Sequence, residues 1–353
     1  MTIAEERPDA IEAPRTDLLI GPGGPLGAGD DIHDRSGAAA GRAPKAPRAA
    51  RPPRPPKPPR RAPRPPRQLA PLSRNQAIAR GALSMLAALL LGFAINLMIL
   101  SHLQHQVNQQ KLQDAFRVQL STSVAPVSEG DSDGALLADG APVARIDIPA
   151  LGLSEVIAEG SSSGVLQSGP GHRRDTVLPG QQGISVVMGR ASSYGGPFGG
   201  IQRLAPGDRI TVVTGQGANI FEVIGTRYAG DPAPAPPAAG QSRLILETAR
   251  GAAFIPSGVV RVDAQLVGDA QPAGKRQTTA ISLPPSHKEL ATDTSTVWAL
   301  VFAGQFFLAI SLGAVWSFRR LGARKTWVVA APLFVLGGLL VADQVTRLLP
   351  NLL

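Results

Sequence analysis

The chain has 353 residues and a formal net charge of +9, and its 39 glycines and 33 prolines are concentrated rather than spread, so only part of it is globular material. The basic excess gathers between Arg35 and Arg80, which argues against a nucleic-acid-binding globular domain and for a basic tail. The sequence contains no cysteine, which excludes disulfides, thiolate metal sites and any thiol nucleophile.

Residues 1–73 lack hydrophobic periodicity, and the run RAPKAPRAARPPRPPKPPRRAPRPPR places proline every two or three residues. Such a tract cannot bury a core and reads as a disordered cytoplasmic tail. Its cations suit anionic lipid headgroups, and its prolines could engage a proline-binding module.

The uncharged run GALSMLAALLLGFAINLMIL leads the span assigned to 81–101, since about 20 apolar residues cross the hydrocarbon core as a helix. It lies too far into the chain, and runs too long, for a cleaved signal peptide. Residues 102–119 keep helical spacing through Leu103, Val107, Leu112 and Phe116 and form a stalk. The His102/His105 pair has no third ligand nearby, so no metal site is expected. Residues 120–141, rich in Ser, Gly, Asp and Pro, form a linker.

Within 142–268 the texture changes to short apolar runs punctuated by turn residues: ARIDIPALGL, GISVVMG, DRITVVTG, NIFEVIGTRY, SRLILETA and GVVRVDAQLV. These predict strands of a mainly β domain, a barrel or sandwich. A polar linker, 269–293, leads to a second span at 297–318, a basic loop at 319–325 and a third span at 327–346. Asn96 and Gln305 lie inside apolar runs, where each could hydrogen-bond between helices. The positive-inside rule puts the tail and the 319–325 loop in the cytoplasm, and the β domain and the closing residues outside a cytoplasmic membrane.

The β segment resembles the sortase family of actinobacterial type. Arg145 to Pro149, Gly169 to His172, Leu178 to Gly180, Tyr194 to Phe198 and Leu204 to Asp208 reproduce, in order, that family's R-I-x-I-P, G-P-G-H, L-P-G, Y-G-x-P-F and L-x-x-G-D segments. The resemblance implies an extracytoplasmic β-barrel, no cofactor, and catalysis by a Cys, a His and an Arg on a cell-wall sorting signal. Here the family's A-G-H-R reads Met188-Gly189-Arg190-Ala191, and its T-C reads Thr248-Ala249. Arg190 and Ala249 therefore occupy the His and Cys positions, and Arg261 is the nearest candidate for the family's Arg.

A guanidinium cannot exchange protons near neutral pH, and covalent catalysis needs its nucleophile. The expected function is thus that of a degenerate, catalytically inactive member. It would bind a sorting-signal-like peptide, or dock an active sortase or envelope protein, through Arg190, Tyr194, Thr248 and Arg261. Two alternatives stand beside this: a transpeptidase or hydrolase using Thr248 or Ser257, and a structural scaffold acting through its spans. Glu247 is poorly placed to serve Thr248, because consecutive strand residues face opposite sides. His172 is expected to bond within its glycine-rich loop and Phe198 to anchor the core.

Overall fold

A computed structural model describes residues 73–131 and 133–353; apart from Ser73, the tail expected at 1–73 lies outside the described residues. The first helix, α1 (Arg74–Ile95), begins at a reciprocal cap: Ser73 Oγ accepts from the Gln76 amide and Gln76 Oε1 accepts from the Ser73 amide. It passes through a π-helical turn, Asn96–Leu100, into α2 (Ser101–Ser121), where the wider turn carries the buried Asn96. The amide nitrogen of Asn96 has no hydrogen-bond partner, and Gln305 faces outward, so neither makes the interhelical bond that its apolar setting suggested.

Eight strands follow: β1 (Pro142–Ile148), β2 (Leu153–Glu159), β3 (Gly171–His172), β4 (Gly183–Met188), β5 (Arg209–Thr214), β6 (Gly217–Tyr228), β7 (Ser242–Ala252) and β8 (Ile255–Leu266). They close into the expected β-barrel in the order β1-β2-β3-β4-β7-β8-β6-β5. Pairs β2–β3 and β4–β7 are parallel and the rest antiparallel. The run ARIDIPALGL, read as one strand, is broken after Ile148. Pro149 opens a short 3-10 turn and Gly152, at φ 63°, reverses the chain into β2.

The interior is filled by alternate residues of the strands, among them Ile146, Val212, Phe221, Leu244, Leu246 and Val262, and closed by Phe198 from the loop after β4. Burying these side chains is the main stabilising term for the barrel.

Helix α2 lies on the barrel rather than apart from it. Leu112 and Phe116 pack against Val156 and Ala158 of β2. Gln109 continues the strand's pairing with its side chain: Oε1 accepts from the Val156 amide at 2.8 Å, and Nε2 donates to the Val156 and Ser168 carbonyls. The segment expected as a linker at 269–293 also folds back onto the barrel, burying Thr278, Leu283 and His287.

Two helices close the chain, α3 (Val297–Leu321) and α4 (Ala323–Arg347), joined at Gly322 with φ 83°. Three helices, Arg74–Ser121, Thr294–Leu321 and Ala323–Arg347, are long and apolar enough to cross a membrane. Their large apolar side chains, such as Leu91, Trp298 and Val328, are mostly exposed, as suits a lipid-facing surface. After α4 the segment Leu349–Leu353 returns to the barrel.

Candidate active site

The parallel pairing of β4 with β7 brings the two sequence-predicted positions together. Met188 lies opposite Glu247, and the Gly189 amide donates to the Glu247 carbonyl, so Arg190 leaves β4 beside the end of β7. Strand alternation then sorts β7. Leu244, Leu246 and Thr248 turn inward, while Ile245, Glu247 and Ala249 turn to the outer face. Ala249 is therefore on the outer face of β7 and Thr248 on the inner one.

The Thr248 hydroxyl is fully buried and donates to the Gly189 carbonyl at 2.7 Å. That bond commits the hydroxyl to a main-chain carbonyl. Ser257 lies exposed on the β7–β8 hairpin, bonded to the Arg250 carbonyl at 3.3 Å, and takes no part in this cluster.

Arg190 is wholly buried. Its Nη2 donates to both the carbonyl and the hydroxyl of Ser163 at 2.9 Å, and its Nη1 donates to Ser193 Oγ at 3.0 Å and to the Leu353 main-chain oxygen at 3.1 Å. Its guanidinium also sits 5.1 Å from the centroid of the Tyr194 ring. Burial lowers its pKa to about 10, which still leaves it a cation at neutral pH. Tyr194, held at φ 50°, points its hydroxyl to Thr346 at 3.1 Å and thereby links the site to the end of α4.

Arg261 is engaged differently. It faces Glu247 across the β7–β8 pair, with Nε 2.6 Å from Glu247 Oε1, and its Nη2 pairs with Glu289 from the folded-back segment. Arg173 adds a second cation to the same carboxylates, 3.9 Å from Glu247 and 3.8 Å from Glu289. Burial first, and then the charge of Glu289, push the Glu247 carboxyl up to about 7 despite these cations. Arg190, Tyr194 and Thr248 thus cluster around the β4–β7 junction, whereas Arg261 belongs to this adjacent ion-pair network.

The motif glycines have steric reasons. A Cβ at Gly171 would stand 2.2 Å from the Gly160 carbonyl, one at Gly169 would meet the Gln109 side chain at 2.0 Å, and one at Gly189 would strike the Phe198 ring at 2.6 Å. His172 is buried and bonds Glu159 at 2.9 Å and the Val177 carbonyl at 2.9 Å, fastening its loop to β2.

Residues 146–248, the stretch that builds this junction, match the family model of the sortase domain. Over that stretch the chain is similar to the sortase domain. Among solved structures, it is similar to a sortase D5 transpeptidase from Clostridium perfringens at 21% identity, covering 47% of this chain and 99% of that one with a TM-score of 0.37. It is also similar to sortase E1 from Streptomyces coelicolor, solved with a tripeptide in the active site, at 27% identity over 37% and 91% of the two chains, TM-score 0.32. The SrtA sortase from Actinomyces oris matches at 26% identity over 41% and 87%, TM-score 0.34. No curated protein matches the chain.

Sequence reasoning missed the hydrogen bonds of Ser163, Ser193 and Leu353 to Arg190. Serines in a glycine-rich loop carry no signal of their own, and Leu353 lies 163 positions from the arginine it meets.

Proposed function

We propose that this protein is a membrane-anchored sortase-domain protein that holds a peptide instead of cleaving one. Its partner would be a sorting-signal-like peptide, or an envelope protein or active sortase presenting such a segment. The observation that carries this reading is the chemistry at the β4–β7 junction. The outward position beside the buried Arg190 cation is Ala249, and the only neighbouring hydroxyl on that strand, Thr248, turns inward and is bonded to a carbonyl. With no cysteine anywhere in the chain, acyl transfer by a thiolate is ruled out, while hydrogen-bond donors suited to a peptide main chain remain.

The three apolar helices would anchor the sortase domain outside the cytoplasmic membrane, with the Arg-rich tail against anionic lipid on the inner side. The test is to incubate the full chain in detergent with a library of sorting-signal peptides and an amine acceptor. No cleavage and no amine adduct are expected. A product whose formation Thr248→Ala or Ser257→Ala abolishes would overturn the reading in favour of hydroxyl chemistry.

A further inference from the structure

The residues after α4 do not trail into solvent. Asn351 and Leu352 are fully buried and Leu353 is 4% exposed. The Asn351 amide nitrogen donates to the Ser161 carbonyl at 2.8 Å and the Lys288 carbonyl at 2.9 Å, while its own backbone amide donates to the Ala291 carbonyl. The Leu352 carbonyl accepts from the Ala191 amide at 2.9 Å. The Leu353 main-chain oxygen takes two donors at once, Arg190 Nη1 at 3.1 Å and Ser193 Oγ at 2.5 Å. The two leucine side chains enter an apolar cluster that contains Ala249 and Val259 and is separate from the barrel interior.

The segment therefore covers the outward position beside Arg190. It does so as a bound peptide would, with main-chain oxygens on donors, an amide side chain on carbonyls and apolar side chains in a pocket. Arg190 makes the arrangement specific. A fully buried guanidinium is costly without partners, and its partners here are hydroxyls and main-chain oxygens, one of them supplied by the segment itself.

We infer that the pocket built on Arg190, Ser193 and Ala249 is a receptor for an apolar peptide segment, occupied in cis by Leu349–Leu353, so that an incoming peptide binds by replacing it. This rests on the peptide-holding reading and adds the ligand class: a segment containing proline, asparagine and two adjacent aliphatic residues. It also predicts that the intact chain resists peptide binding until the segment leaves.

Because the chain has no cysteine, Ala249→Cys places a single reporter thiol beneath the segment. Its alkylation rate is measured in the full chain, in the chain shortened after Leu348, and in full-length Leu352→Asp, which drives a charge into the apolar cluster should the shortened chain fold poorly. The reporter is expected to react at least about tenfold faster in either altered chain, since opening no longer limits access. Adding the synthetic peptide Leu-Pro-Asn-Leu-Leu to an altered chain is expected to restore shielding, and Leu-Pro-Asn-Asp-Asp is expected not to.

Equal reactivity in full and altered chains would overturn the inference, as would shielding that neither peptide restores or that both restore equally. The product assay described above, run on the same three forms with Ala249 in place, reads the other question. Cleavage would remove the peptide-holding reading whatever the labelling shows, and unrestored shielding without cleavage would remove only the receptor.

Discussion

Glu247 shows how one strand position can be pulled two ways. Its carboxylate is 2.6 Å from Arg261 Nε, yet burial and the nearby Glu289 charge outweigh that attraction and raise it from 4.5 to about 7. A carboxyl whose folded pKa lies above its unfolded value stabilises the fold fully below the unfolded pKa and loses that contribution as pH rises through the folded one. The barrel is therefore expected to lose stability between about pH 4.5 and pH 7, and Glu247→Gln to flatten that slope, as thermal unfolding across the range would read. A slope unchanged by the substitution would assign it to other groups. Asp139 acts in the opposite sense: the hydrogen bond from His287 lowers it, against its partial burial, so its contribution disappears only as pH falls below 3.8. The neighbouring Thr248 and Ala249 take opposite faces through strand alternation alone, so the Thr248 hydroxyl points away from the side on which Ala249 lies.

At the scale of elements, the junction of β4 with β7 is held by packing from outside the barrel as much as by its ladder. Helix α2 is bolted to β2 by Gln109, whose amide reads both the Val156 N–H and carbonyl in the way a neighbouring strand would. Gly169 is required at the contact because any Cβ there would meet that side chain. Gln109→Ala leaves a buried backbone donor and acceptor unmatched and is expected to cost about 2 kcal/mol. The measurable result is a lowered Tm together with faster amide exchange at Val156; loss of Tm without local exchange would place the effect elsewhere. The folded-back segment at 269–293 has a comparable role, because Glu289 reaches Arg261 and His287 accepts from the Ser161 amide at 3.1 Å. Its proline and polar composition marks a linker, whereas its few contacts, widely spaced in sequence, make it a strap. No local pattern distinguishes the two, since the partners lie on other elements.

At the scale of the molecule, the helices and the barrel are one connected body: α1 runs without interruption into α2, and the residues after α4 return to the same barrel. This predicts an alternating topology, testable in the cysteine-free background with Ser257→Cys on the barrel hairpin and Arg320→Cys in the last turn of α3. In intact cells an impermeant thiol reagent is expected to label the first, and the second only after permeabilisation; labelling of both before permeabilisation would break the proposed arrangement. The sequence by itself determined the three apolar helices, the β character of 142–268 and the absence of any thiol, because hydrophobic run length, strand alternation and residue identity are local properties. It also located Arg190, Thr248 and Ala249, through motif order. Only the tertiary structure decided which of them face one another, that Arg261 is committed to Glu247 and Glu289, and that Leu352 and Leu353 cover Ala249. Those facts depend on the parallel β4–β7 pairing and on contacts between residues far apart in the chain. Long-range closure leaves no period in the sequence from which to read it.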